Sequence, residues 1–249
     1  MNVMRPQSGR PLNQPGGPLN QPGQPLNQPG QPLNQPGQPL LAASARPWAV
    51  ALLAGCAILV AVLGALFARQ ATADRFDRAV DAPVIAWFDG RPGLAVRLAY
   101  PGTLIPAVVL SAAIVLACLL TGRRNGAVLA AAAVPVATGL SEAVIKPLVH
   151  RTYLGQVVYP SGHTATIFAL AATVTLLLLA SPPYAARALR ILISAAACAV
   201  AVIVVIAVIG LRFHYLTDTV AGAAVGTGTV CGLALILDRP AVRRWLRIA

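Results

Sequence analysis

The chain has 249 residues, of which 57% are apolar and 10% are charged, and its mean hydropathy is +0.72. A soluble domain carries about 25% charged residues, so this composition excludes an ordinary soluble fold and indicates a membrane protein. The net charge of +12 does not indicate a nucleic-acid partner, because the basic residues lie at the ends of apolar runs, where they orient membrane helices and contact anionic headgroups. The four cysteines lie inside apolar runs without C-x-x-C spacing, so neither a disulfide framework nor a zinc site is predicted.

The N-terminal segment has a different character from the rest of the chain. Residues 11–38 repeat the unit PLNQPG every seven residues, with two prolines in each unit. Proline at this density forbids a helix, and the segment has too little apolar surface to offset the entropy of ordering it. We therefore predict a disordered tail over residues 1–45 with a preference for the polyproline II conformation. One membrane domain is predicted to follow it over residues 46–249.

Six apolar runs follow the tail, and each is close to the ~20 residues that a helix needs to cross the hydrocarbon core. They lie at roughly 48–68, 104–121, 126–146, 163–180, 190–210 and 217–237. Runs of this length are too long for strands. The predicted fold class is therefore all-α, a polytopic six-transmembrane-helix bundle.

A longer connecting segment separates the first two runs. Its apolar residues fall at helical spacing: Phe76, Val80, Val84, Trp87 and Phe88. Charged residues lie between them, which is typical of a helix in the membrane interface. Trp87 is predicted to anchor this helix at the headgroup level.

The distribution of basic residues favours an orientation in the plasma membrane with both termini in the cytoplasm. In this orientation three separate stretches, 141–153, 159–164 and 210–222, lie on the outer side. Together they hold all three histidines, the only lysine and two of the seven acidic residues. An ionisable group at mid-bilayer costs about 2.5–3.5 kcal/mol on insertion scales, so such groups usually mark function. The alternative is that these side chains only reach from helix ends toward water.

The clustered residues fit a phosphate group. Three permanent cations suit a dianion, and the Ser-Gly-His turn at the start of the fourth run adds a helix N-terminus with free N–H groups. Serine is a favourable N-cap and glycine allows close approach of a ligand to the backbone. The predicted phosphate-binding residues are Lys146, Arg151, Ser161, Gly162 and Arg212.

Two histidines and one aspartate supply the predicted reactive groups. His214 and Asp218 are spaced i, i+4, one turn apart in a helix. A carboxylate bonded to one imidazole nitrogen makes the other nitrogen a better nucleophile or base. His163 is then available to protonate the leaving alkoxide. The alternatives are a capping histidine at 214 and an N-cap aspartate at 218.

The stretches KPLVHRTY, PSGH and HYLTD resemble the three signature motifs of the type-2 phosphatidic acid phosphatase superfamily, and the resemblance covers roughly residues 50–237. It implies that His214 is the nucleophile that becomes phosphorylated, that Asp218 orients it, and that His163 protonates the leaving group. It further implies that Lys146 and the Ser-Gly pair of PSGH bind phosphate. The phosphatase branch of the family requires no metal, so the resemblance implies no cofactor.

Two departures from the family pattern concern arginines. Tyr153 stands where the first motif has arginine, and Ala207 and Val208 stand where the third motif has Ser-Arg. Arg151 is the arginine nearest to the first missing position. We hypothesise that Arg212, two residues before His214, replaces the second from the loop.

The sequence therefore predicts an integral membrane lipid phosphatase. Its substrate is expected to be a lipid phosphomonoester or diphosphate, with polyprenyl diphosphate, phosphatidate and phosphatidylglycerol phosphate as candidates. Two other readings remain open: an intramembrane serine hydrolase using Ser161, and a non-catalytic lipid transporter or decayed family member. A zinc site formed by His163, His214 and Asp218 is disfavoured because the neighbouring cations repel a metal ion.

Overall fold

A computed structural model describes residues 39–180 and 187–248 of the chain, with side chains as far as residue 244. Within these residues six helical segments are long and apolar enough to cross a membrane. The predicted all-α class with six membrane spans is confirmed, and the protein is a multi-pass membrane protein. Residues 1–38 of the predicted disordered tail lie outside the described residues.

The described part of the chain contains ten α-helices. Their bounds are α1 Arg46–Phe67, α2 Arg75–Phe88, α3 Pro92–Ala99, α4 Leu104–Leu120, α5 Arg124–Gly139, α6 Lys146–Val149, α7 Gly162–Leu179, α8 Arg187–Gly210, α9 Leu216–Leu237 and α10 Pro240–Ile248. The second span begins at Pro92, earlier than the predicted 104, because α3 and a short 3-10 turn lead into α4. A two-stranded hairpin, β1 (Thr152–Tyr153) and β2 (Gln156–Val157), precedes α7.

The packed part of the chain begins ahead of residue 46, the boundary predicted from the sequence. Leu40 and Leu41 are buried, and their backbone N–H groups donate to the two carboxylate oxygens of Asp238, each at 2.8 Å. Two charge-assisted hydrogen bonds therefore tie the start of the described chain to the end of α9.

The connecting segment forms the expected helix, α2, but two of its aspartates face inward. Asp74 caps the helix, its carboxylate accepting from the backbone N–H of Asp77 at 2.6 Å. Asp77 and Asp81 are buried, whereas Phe76 and Trp87 are more than half exposed. In a membrane protein an inward polar face is stable only where the acids find partners inside the bundle, and those partners are the ones that organise the site below.

The centre of the bundle is the close contact between α7 and α9. A β-carbon at Gly226 of α9 would collide with the carbonyl oxygen of Ala165 and approach the backbone nitrogen of Ala169 to 2.8 Å. Both are main-chain atoms of α7, which no side-chain rotation can move. The short distance between these two helices fixes α7 and α9 relative to each other at the end where the site lies.

We expect Gly226→Ala to lower the free energy of unfolding by about 1–3 kcal/mol, the usual cost of overpacking. The measurement is the midpoint of thermal unfolding, Tm, in detergent. Gly232→Ala is the matched control, because a β-carbon there, on the same helix, would meet nothing closer than 3.7 Å. Equal Tm values for the two variants would contradict the role of Gly226 in helix contact.

Candidate active site

A cavity of about 660 Å³ lies where the ends of three spans meet. Its wall contains Lys146, Gly162, His163, Arg212 and His214. These residues come from the three stretches that the sequence predicted to converge. The helix of the third span changes to a π-helical turn at Leu140–Ile145 just before it reaches the cavity, and π-helical turns often occur at functional sites.

The two histidines face each other across this cavity. The centroids of the His163 and His214 rings are 6.2 Å apart, and the ring planes are inclined at 63°. His214 is nine-tenths buried, and its Nδ1 atom has no hydrogen-bond partner among the described residues. Burial lowers the pKa of His214 to about 3, with further contributions from His163 and Lys146. The imidazole of His214 is therefore neutral at physiological pH and retains a nitrogen lone pair for attack.

The lowered pKa of His214 predicts how the stability of the protein depends on pH. The ordinary value is 6.5, so the unfolded chain takes up a proton at higher pH than the folded protein does. Stability is therefore fully present above about pH 6.5 and is lost progressively as the pH falls toward about 3. Within this window, each unit by which the pH falls lowers the free energy of unfolding by up to about 1.4 kcal/mol.

We expect the Tm of the wild-type protein to fall more than that of His214→Asn when the pH is lowered from about 7 to about 5. His150→Asn is the control, because His150 is exposed and lies outside the cavity. The asparagine also tolerates the left-handed backbone at this position, where φ is 50°. Parallel pH slopes for wild type and His214→Asn would contradict the depressed pKa.

The PSGH turn starts α7 as predicted, with Ser161 as the N-cap. The Ser161 hydroxyl accepts from the Thr164 backbone N–H at 3.4 Å and is 3.1 Å from the Thr164 hydroxyl. It is completely buried and does not line the cavity, although Gly162 and His163 do. The phosphate-binding side chain predicted at Ser161 is therefore directed into the capping interaction. The same geometry leaves no exposed hydroxyl at Ser161 for a serine hydrolase.

Lys146 reaches the cavity together with an acidic neighbour. Its Nζ atom donates to Oε2 of Glu142 at 2.8 Å, and the two residues are spaced i, i+4. The carboxylate of Glu142 also lies against the start of α7, since a β-carbon at Gly162 would collide with its Oε1 atom. The cavity therefore contains a carboxylate between the lysine and the PSGH turn.

The phosphate-binding role predicted for Arg151 does not agree with its position. Arg151 is completely buried and does not line the cavity. Its guanidinium donates to Asp77 at 2.6 Å and to Asp218 and Thr217 at 2.7 Å each. The rings of Phe67 and Tyr215 lie on the guanidinium, with centroids 4.2 and 4.4 Å from Cζ. Burial lowers the pKa of Arg151, but Asp218 and Asp77 outweigh this effect and the pKa lies above its ordinary value.

Asp218 is likewise directed away from His214. One carboxylate oxygen accepts from Arg151, and the other accepts from the backbone N–H of Tyr215 at 3.0 Å. No hydrogen bond joins Asp218 to His214 within residues 39–180 and 187–248. The predicted i, i+4 contact requires both residues to be helical, whereas α9 begins only at Leu216. Asp218 therefore caps α9 and pairs with Arg151 instead of orienting the imidazole directly.

Arg212 lies at the rim of the cavity, where it meets another acid. Its Nη2 atom is 3.1 Å from Oδ1 of Asp89, and the side chains of Arg212 and Asp89 are 49% and 64% exposed. An ion pair this exposed contributes little, about 0–1 kcal/mol, so the guanidinium is free to exchange Asp89 for a ligand. Among the three arginine and lysine residues predicted to bind phosphate, Lys146 and Arg212 line the cavity and Arg151 does not.

Asp77 and Asp81, which have no role among the residues predicted from the sequence, organise the start of α9. Asp77 accepts from the backbone N–H of Thr217 at 3.1 Å, and Asp81 accepts from that of Leu216 at 3.3 Å. Burial raises the pKa of Asp81 to about 7, with a further contribution from Asp77. The available signal was the i, i+4 spacing of two acids in a chain that has only seven.

No group of three or more His, Cys, Asp or Glu residues in the described part of the chain is arranged to hold a metal ion. The zinc alternative therefore has no support in this geometry. Asp218, the third ligand of that alternative, is already engaged by Arg151.

Comparison with known protein families gave a match. The family model described as the PAP2 superfamily matches residues 148–240. The matched segment includes the PSGH turn and His214, and it begins two residues after Lys146. Searches of curated proteins and of solved structures found no match.

Proposed function

Because the chain carries a PAP2 superfamily domain over residues 148–240 in a protein with six candidate membrane-spanning helices, we propose that it is an integral membrane lipid phosphatase. Its substrate is a phosphomonoester or diphosphate of a lipid. One observation carries the proposal: His163 and His214 face each other across a cavity that also contains Lys146. This is the minimum set for phosphoryl transfer to an imidazole, namely a nucleophile, a proton donor and a cation.

The reaction proceeds in two displacement steps. A nitrogen of His214 attacks the terminal phosphorus atom, and the bond from this phosphorus to the leaving oxygen breaks. The leaving oxygen belongs to the lipid alcohol in a monoester and to the lipid monophosphate in a diphosphate. His163 supplies the proton that the leaving oxygen takes up. Water then attacks the phosphohistidine, the P–N bond breaks, and orthophosphate leaves with His214 restored. His163 returns to its protonated form by taking a proton from the attacking water.

In this proposal the phosphate is held by fewer cations than the family pattern provides. Tyr153, in place of the first-motif arginine, stacks on Tyr215 with ring centroids 4.4 Å apart. Ala207 and Val208, in place of Ser-Arg, are completely buried. Lys146, the N–H groups at the start of α7 and, at the rim, Arg212 remain to bind the phosphate oxygens.

The proposed orientation has both termini in the cytoplasm and the cavity at the outer face of the plasma membrane. It is supported by the basic helix α10, which contains Arg243 and Arg244 and follows the end of α9 that is remote from the cavity. Basic residues concentrate on the cytoplasmic side of membrane proteins. An outward site favours polyprenyl diphosphate among the candidate lipids.

The test is phosphate release by the purified protein in detergent from polyprenyl diphosphate, phosphatidate and phosphatidylglycerol phosphate. We expect release from at least one of them and inhibition by orthovanadate, which mimics the trigonal-bipyramidal phosphoryl group. Transfer of lipid between leaflets without any phosphate release would instead support a non-catalytic transporter. Labelling of Ser161 by a fluorophosphonate, without sensitivity to vanadate, would support a serine hydrolase.

A further inference from the structure

Glu142 is an acidic residue inside a cavity that is proposed to bind an anion. It lies in the π-helical turn Leu140–Ile145 and lines the cavity together with Lys146 and Gly162. One carboxylate oxygen accepts from Lys146 Nζ at 2.8 Å, and the other lies against Gly162 at the start of α7. The side chain is 45% exposed, so it contacts these two groups without being locked into the protein interior.

The two groups that Glu142 contacts are the groups that bind phosphate in the proposed function. A carboxylate and a phosphate are both oxyanions, and each is stabilised by an ammonium group and by the N-terminus of a helix. Both cannot take the same position. A phosphate dianion that enters beside an ionised Glu142 also meets the repulsion of a like charge.

We propose that Glu142 competes with phosphate for the anion subsite and thereby determines how tightly the site holds a phosphate group. The inference rests on the proposed function for the location of the subsite. A phosphate must displace the carboxylate from Lys146 before it binds. The affinity for any phosphate is thus lowered by the stability of the Glu142–Lys146 contact, and orthophosphate, the product, is released readily.

The surroundings of Glu142 support this competition. The cavity wall offers two cations, Lys146 and Arg212, and Asp89 already balances the second of these. A lipid phosphate has apolar wall residues such as Leu104 and Val134 to contact with its chain, whereas free orthophosphate has only the charged groups. For the lipid substrate, the contacts of its chain with the apolar wall therefore offset the free energy needed to displace the carboxylate. Orthophosphate has no such contacts to offset it.

The experiment compares wild type with Glu142→Gln, which keeps the shape of the side chain and removes its charge. We expect the dissociation constant of orthovanadate, measured by calorimetry in detergent, to fall about tenfold, which corresponds to about 1.4 kcal/mol. The KM for the lipid phosphate and the inhibition constant of orthophosphate are expected to fall by a similar factor, with no rise in kcat. Glu142→Ala is the second variant and is expected to behave in the same way.

Two controls separate competition from a general effect of charge. Asp74→Asn also removes one negative charge, but at the N-cap of α2 outside the cavity, where asparagine retains the capping oxygen. We expect its vanadate affinity to equal that of wild type. In a Lys146→Gln background the gain from Glu142→Gln is expected to shrink. The two anions no longer compete for the lysine there, and only their mutual repulsion and their competition for the start of α7 remain.

The outcomes distinguish this inference from the proposed function. If wild type binds vanadate and releases phosphate but Glu142→Gln binds no more tightly, the inference is wrong and the proposed function stands. A loss of kcat above a hundredfold at unchanged vanadate affinity also overturns it, because Glu142 then acts as a general base. If neither protein binds vanadate or releases phosphate, both the inference and the proposed function fail.

Discussion

Replacing His214 with alanine is expected to lower phosphate release from every phosphate ester by about 10³- to 10⁶-fold, the range found when an enzyme loses its nucleophile. The ring of His214 is the buried, neutral imidazole in the cavity. Two other nucleophiles near the cavity are already engaged, because the Ser161 hydroxyl is turned into the N-cap and the Lys146 amine is paired with Glu142. The loss is therefore expected to be independent of the leaving group.

His163→Ala is expected to behave differently, because its proposed role is to protonate the leaving oxygen. A lipid alcohol is a poor leaving group without a proton, so we expect a loss of about 10²- to 10⁴-fold, the usual contribution of general acid catalysis. The p-nitrophenolate ion is stable without protonation. With p-nitrophenyl phosphate as substrate, His163→Ala is expected to retain most of the wild-type kcat.

The measurement is kcat for both variants with one lipid phosphomonoester, such as phosphatidate, and with p-nitrophenyl phosphate. His150→Asn is the matched control, since it removes the third histidine from the same end of the bundle without touching the cavity wall. If His163→Ala lowers kcat equally with both substrates, the proposed general-acid role of His163 is contradicted. A leaving-group dependence for His214→Ala instead of His163→Ala would mean that the two roles are reversed.

The sequence was sufficient to predict the six membrane spans and several of the residues that meet in the cavity. Apolar runs of membrane-spanning length fix the number of spans, and alternation of direction then brings every second connection to the same end. Lys146, His163, Arg212 and His214 all lie within a few residues of such helix ends. Their convergence therefore followed from topology, without knowledge of any side-chain contact.

The pairing of charges was not predictable in the same way. The i, i+4 rule connected His214 to Asp218, but it applies only within a helix, and α9 begins two residues after His214. Arg151 was assigned to the phosphate because it is a cation near the motif. Its actual partner Asp77 is 74 residues away in the sequence, and only the packing of α2 against the bundle brings the two together.

The orientation of α2 about its own axis was likewise not predictable from the sequence. Amphipathic spacing predicts a helix with two faces, but it does not say which face turns toward the protein. In a soluble protein the acids of α2 would point to water. Here Asp77 and Asp81 are buried, because the bundle contains a buried arginine and the backbone N–H groups at the start of α9, which require acceptors.

Arg151→Met is expected to be the most destabilising single substitution at this end of the bundle. It leaves Asp77 and Asp218, both completely buried, without their cation. Removing one partner of a buried ion pair typically costs about 3–5 kcal/mol, because an uncompensated charge remains in the interior. We expect a large fall in Tm in detergent and a loss of the monodisperse peak in size-exclusion chromatography.

The triple variant Arg151→Met, Asp77→Asn, Asp218→Asn is the matched comparison. It removes the two acids together with the arginine, so no buried charge is left unpaired, and we expect it to recover much of the lost Tm. Arg151→Lys is expected to fall between wild type and Arg151→Met, because an ammonium group lacks the planar fork that reaches Asp77 and Asp218 together.

A contrary result for Arg151 has a specific meaning. If Arg151→Met keeps the wild-type Tm but weakens the binding of orthovanadate, the guanidinium contacts the phosphate directly, as the sequence motif suggested. If it loses stability while the surviving folded fraction binds vanadate normally, Arg151 acts only through the structure. The second outcome is the expected one, because the guanidinium is enclosed by Phe67, Tyr215 and two carboxylates and does not reach the cavity wall.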